Sequence, residues 1–186
     1  MSDLSPIIDD LSRPAPQASN GANWQFIADG VMGGVSQGAM ARETVNGREA
    51  YGMRGQVSLE NNGGFIQMAL DLAPDGSAVD ASAFAGIALD VIDSSLALGL
   101  RPNRAGNGET YNLHLRTADV TRPWQSYRQS FIAGPDWETH RIPFSDFAPH
   151  RIDVPLDVTK LRRIGILGIG RAFEVDLSLG GIQFYR

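Results

Sequence analysis

The chain has 186 residues, with 16 basic and 21 acidic side chains, a formal net charge of −5, 42% hydrophobic and 20% charged residues. Those values suit one globular domain with a proper core and exclude disorder beyond the first residues. The acidic balance and the single lysine, Lys160, argue against a nucleic-acid partner, and the lack of cysteine removes disulfides, thiol catalysis and cysteine-based zinc sites.

Residues 1–22 read as an N-terminal segment and linker, and residues 23–186 as a β-sandwich domain. Met1-Ser2-Asp3-Leu4 lacks a basic stretch followed by an apolar run, and Asp3, Asp9 and Asp10 do not suit a transit peptide. The expected location is therefore the cytoplasm. With no apolar run longer than the one around Ile164–Ile169, no membrane insertion is expected. Leu4, Ile7, Ile8 and Leu11 have helical spacing, with Ser5 placed to cap and Pro6 at the first helical position, which predicts a short helix over 2–12. Pro14 to Gly21 reads as a linker.

From Asn23 onward the pattern is of strands. Asn46-Gly47 marks a hairpin between Ala39–Val45 and Arg48–Leu59, and Asn61-Asn62-Gly63-Gly64 a second reversal. Apolar residues alternate with polar or small ones over 66–72, 87–91, 111–115 and 173–179, each describing a strand with one face in the core. Further strands are predicted at 126–133 and 136–142. Ile164 to Ile169 is apolar at both parities, as a centrally covered strand would be. Trp24 and Trp137 fall within strand patterns and are expected in the core. Many strands without intervening helices predict an all-β jelly-roll sandwich.

Motifs of catalysis or metal binding lack their context. Gly34-Val35-Ser36-Gln37-Gly38 matches G-x-S-x-G, but a hydrolase elbow needs a strand before the serine and a helix after it. A turn in which the Ser36 hydroxyl bonds local backbone is the simpler reading, with a serine hydrolase at Ser36 as the outlying alternative. Gly30, Gly33 and Gly34 lack the Gly-Lys-Ser/Thr ending of a phosphate loop. His114, His140 and His150 share no ligand spacing, and Asp71, Asp75 and Asp80 form no ordered calcium series. No cofactor, metal or catalytic residue is assigned.

The stretch 111–131 carries more information. Asn112, His114 and Arg116 share one face of a strand, followed by Arg122-Pro123-Trp124-Gln125-Ser126-Tyr127-Arg128. Trp, Tyr and Arg are enriched at binding hot spots. The competing reading has Trp124 closing the end of the core.

Several motifs stand in a recognisable order: Trp24, Asp29-Gly30-Val31-Met32-Gly33-Gly34-Val35-Ser36, Gly55 to Phe65 with Asn61-Asn62-Gly63-Gly64-Phe65, Tyr111 to Thr117, Trp137, and Ile142-Pro143-Phe144-Ser145-Asp146-Phe147. From about Trp24 to the C-terminus the chain resembles the complex I intermediate-associated protein 30 family. The resemblance implies a galactose-binding-domain-like jelly roll and a non-catalytic respiratory complex I assembly factor, acting on protein partners, possible complex I subunits among them. A departure from the family pattern is the insert Asp93 to Gly108, containing Leu96-Ala97-Leu98-Gly99-Leu100, read either as a partner-binding loop or as an extra edge strand. The same fold motivates a carbohydrate-binding module as the alternative, with Trp124, Tyr127 and Arg116 meeting a glycan. Either way, Asp29, Ser36, Asn62, Asn112, His114, Arg116, Trp124, Tyr127 and Arg128 are the expected binding residues, on one face.

Overall fold

A computed structural model describes residues 3–97 and 109–186. In chain order the strands are β1 (Ile7–Asp9), β2 (Gln25–Ala28), β3 (Gln37–Val45), β4 (Arg48–Val57), β5 (Phe65–Asp71), β6 (Gly86–Asp93), β7 (Glu109–Thr117), β8 (Ser126–Ala133), β9 (Glu138–Pro143), β10 (Ala148–His150), β11 (Leu161–Ile169) and β12 (Phe173–Tyr185). Among the described residues they form two antiparallel six-stranded sheets. One runs β3-β4-β12-β6-β9 with β1 also on β12, and the other β10-β8-β7-β11-β5-β2. The expected all-β sandwich is what the chain adopts.

The alternation read in the sequence is the reason the sheets stack. Ile66, Met68 and Leu70 of β5, Leu113 and Leu115 of β7, and Ile164 and Ile166 of β11 face Ile87, Leu89 and Val91 of β6 and Leu177 and Leu179 of β12 in one buried core. The hairpin forms where expected, with Asn46 and Gly47 both at positive φ (47° and 76°), as a tight two-residue turn between right-twisted strands requires. No helix among the described residues is long and apolar enough to cross a membrane.

Three expectations need correction. Residues 7–9 are a strand, not part of a helix: β4 leaves β12 at Leu179, and Ile7 and Asp9 take the vacant edge opposite Gln183 and Ile182. Pairing to a distant edge outweighs the helical spacing of so short a segment. Trp137 is half-buried rather than in the core; its indole N–H donates to the Val45 carbonyl at 3.1 Å while the Arg48 guanidinium lies over the ring. Of the insert, Ser94–Ala97 is a single helical turn, and the remainder, 98–108, lies outside the described residues.

The N-terminal stretch is fastened by one carboxyl. Asp9, 1% exposed, accepts from the Trp24 indole N–H at 2.7 Å, from the Leu11 amide at 2.9 Å, and from the amide and hydroxyl of Ser19 at 3.2 Å each. Ile8, Leu11, Ala18 and Ala22 join the common core beside it. Asp9→Ala leaves these buried donors unmet, so it should cost about 3 kcal/mol and lower the melting temperature by roughly 10 °C. Asp9→Asn, which keeps an acceptor oxygen, should fall between that variant and the parent. A melting curve unchanged by Asp9→Ala would show that the segment contributes nothing to stability.

Candidate functional site

The outward face of the β10-β8-β7-β11-β5-β2 sheet is the floor of a cleft of about 670 Å³. Strand register decides which side chains reach it. His114 pairs with Arg128 on one side and Gly165 on the other, and Arg116 lies opposite Arg163. Gln67 and Leu167 extend the floor, and His150 and Arg151 close its β10 end. At Gly165 an added Cβ would lie 2.5 Å from Gln67 Oε1, so glycine keeps the floor low beside His114.

One wall is made of two loops gathered around Asp29. Its carboxylate accepts from the Ser36 amide (2.9 Å), the Ser36 hydroxyl (2.5 Å), the Gly64 amide (2.6 Å) and the Phe65 amide (3.3 Å). Burial pushes the Asp29 carboxyl up, but the Ser36 hydroxyl and the three amides outweigh it and hold it below the usual carboxylate range. The loops close so tightly that a Cβ on Gly34 would lie 2.4 Å from Asp29 Cγ, and one on Gly63 2.5 Å from Asp29 Oδ2. This is the physical content of the two glycine-rich signatures: each supplies a backbone able to touch the same carboxylate. The clasp presents Val31 and Met32, 76% and 51% exposed, along the cleft.

The opposite wall is the 117–125 connection, organised from below by Arg116. Its guanidinium donates to the carbonyls of Arg122 (3.3 Å), Pro123 (3.1 Å) and Gln125 (3.0 Å). The Gln125 side-chain oxygen accepts from the amides of Thr121 and Arg122 at 3.2 and 3.1 Å. These bonds hold Trp124 at the rim, 49% exposed, so it does not close the end of the core.

Of the residues expected to bind, Asn62, His114, Arg116, Trp124 and Arg128 line the cleft. Asn112 shares the outward side of β7 but is not part of the lining. Asp29 and Ser36 are buried and act as the clasp. Tyr127 points into the core, its hydroxyl donating to the Val154 carbonyl at 2.6 Å. Ser36 also lacks the hydrolase geometry: β3 rather than a helix follows it, and its hydroxyl donates to Asp29 and accepts from the Ser58 amide at 2.9 Å. Gln67, His150, Arg151 and Arg163 were not legible as site residues, because only sheet register brings them beside Arg116 and His114.

Among the described residues, the lining contains no aspartate or glutamate. His114, 9% exposed, is held at a pKa of about 3 by burial and by Arg128, His150 and Arg116, and is therefore neutral in ordinary buffers. Burial and neighbouring arginines likewise push Arg116, Arg128 and His150 down.

Fold and cleft together define an antiparallel β-sandwich with a concave face between two loop walls. The chain belongs to the Complex I intermediate-associated protein 30 (CIA30) family, whose model matches residues 15–179. By structure it is similar to the family 11 carbohydrate-binding module from Clostridium thermocellum in complex with a β-1,3-1,4-mixed-linked tetrasaccharide, with a TM-score of 0.68, 14% identity, and coverage of 97% of this chain and 95% of that one. It is also similar to a family 30 carbohydrate-binding module, with a TM-score of 0.56, 13% identity, and coverage of 80% and 75%. An exo-β-agarase matches 97% of this chain with 25% of its own, at a TM-score of 0.55 and 12% identity. At such identities the likeness is one of fold. No curated protein matches the sequence.

Proposed function

We propose that this chain is a non-catalytic binding domain that seats a segment of a protein partner in the cleft, and that the partner is a subunit or assembly intermediate of respiratory complex I. The family supports the choice of partner class. The observation that carries the choice of surface is Trp124, a large apolar side chain left half-exposed at the rim of a concave face and held there by the Arg116-braced loop. An exposed tryptophan beside arginines in a preformed cleft is the arrangement found at interface hot spots.

Affinity purification of the tagged protein from its native host should recover complex I subunits. Trp124→Ala should reduce that recovery about tenfold or more at unchanged melting temperature. Equal recovery with the variant would move the interface elsewhere, and recovery of unrelated proteins would remove the assembly role.

A carbohydrate-binding function is the second reading, favoured by Trp124 sharing an open cleft with the amides of Asn62, Gln67 and Gln125, and by the family 11 module's complex with a β-1,3-1,4-mixed-linked tetrasaccharide. Retardation of the protein in a gel containing a β-1,3-1,4-mixed-linked polysaccharide, abolished by Trp124→Ala, would support it.

A further inference from the structure

The two outer faces of the sandwich treat charge differently. On the β4-β12 face Arg54 bonds Glu43 at 2.5 Å and Asp176 at 3.0 Å, and Arg48 bonds Asp90 at 2.6 Å, while Arg141 lies over the Tyr185 ring. On the cleft face, among the described residues, only Arg163 has a carboxylate, Asp71 at 2.7 Å. Arg116 is held by carbonyls alone, and among the described residues Arg128 and Arg151 have no acidic partner. A chain of net charge −5 thus gathers uncompensated positive charge in this cleft.

Two polar atoms of the floor are also unmet. His114 Nε2 and Arg128 Nε are buried without a hydrogen-bonding partner in the protein, on side chains directly opposite one another across β7 and β8. His114 is more than nine-tenths buried and lines the cleft. A buried donor with no partner destabilises the free protein, which a carboxylate arriving over the pair would relieve. The rim is aliphatic and thioether as well as aromatic: Val31, Met32 and Trp124. Met and Trp suit the varied apolar side chains of a peptide.

We infer that the occupant of the cleft is an acidic peptide segment of the partner, its carboxylates over His114, Arg128 and Arg151 and its apolar side chains against Val31, Met32 and Trp124. This rests on the reading of the cleft as a protein-binding surface and adds the chemistry of the ligand.

The test is selection of a displayed library of short random peptides on the immobilised full chain. Peptides rich in Asp and Glu, interspersed with apolar residues, are the expected outcome. A synthetic copy should lose about tenfold or more in affinity when its carboxylates are replaced by amides, weaken as salt is raised, and lose a similar factor against Arg128→Ala. The exposed Arg151→Ala serves as a second variant should Arg128→Ala fold poorly. Enrichment of neutral or basic peptides, or affinities that both variants leave unchanged, would overturn the acidic ligand while leaving a peptide-binding cleft. No enrichment at all would overturn both. Binding of oligogalacturonate instead, abolished by Arg128→Ala, would overturn the peptide and assign the charge to an acidic glycan.

Discussion

Asp29→Ala should destabilise the domain by roughly 3–5 kcal/mol, lowering the melting temperature by roughly 10–15 °C, because one carboxylate accepts from the backbone of both loops. The substitution strands the Ser36 amide and hydroxyl and the Gly64 and Phe65 amides. It also leaves a void that Gly34 and Gly63, lacking side chains, cannot fill. Asp29→Asn keeps the volume but turns an NH₂ toward groups that are themselves donors, so about 2 kcal/mol should still be lost. The sign of the pH effect is fixed by the depressed folded-state pKa: the stabilisation is full above the ordinary value of 3.8 and disappears as pH falls through the lower folded value. Urea denaturation of the three proteins at neutral pH measures the loss. A change within about 0.5 kcal/mol for Asp29→Ala would mean that other contacts hold the wall.

The second large effect lies at higher pH. Stability should fall as pH drops from about 6.5 toward 3, because unfolded His114 takes up a proton near 6.5 whereas the folded ring does so only near 3. Between those values the unfolded state binds the extra proton, with a limiting slope of about 1.4 kcal/mol per pH unit. His150, also pushed down, acts in the same direction, so comparison with His114→Gln isolates the buried ring. The variant should show a shallower profile between pH 6.5 and 4 by chemical denaturation. Matching profiles would contradict a buried, neutral His114. Asp29 adds its own loss only below 3.8, which separates the two effects.

What the sequence disclosed follows the range of the forces involved. Alternation over 66–72 or 173–179 is set by which residues the core accepts, and it reads directly as β5 and the first part of β12. The cleft residues depended instead on register between distant strands. Arg163 sits opposite Arg116, and Gly165 opposite His114, and no local pattern announces either pairing. The apolar run Ile164–Ile169 suggested a strand covered on both sides; the structure shows Leu167 3% exposed on the cleft side, sheltered by walls rather than by a further layer. Asp29 was legible as important and misread in role. An aspartate among glycines looks like a ligand contact, and only the approach of residues 63–65 shows that its ligand is the protein's own backbone.

The clasp has a consequence for recognition. Loops that must order around a ligand subtract that ordering from the affinity, at about 0.5–1.5 kcal/mol for each side chain immobilised. Here the Val31–Met32 wall is locked to the 63–65 backbone through Asp29, and the Trp124 wall to β7 through Arg116, before any ligand arrives. Association should therefore resemble a key entering a finished lock, with little change in the walls and with mutants of the rim altering how long the partner stays more than how fast it arrives.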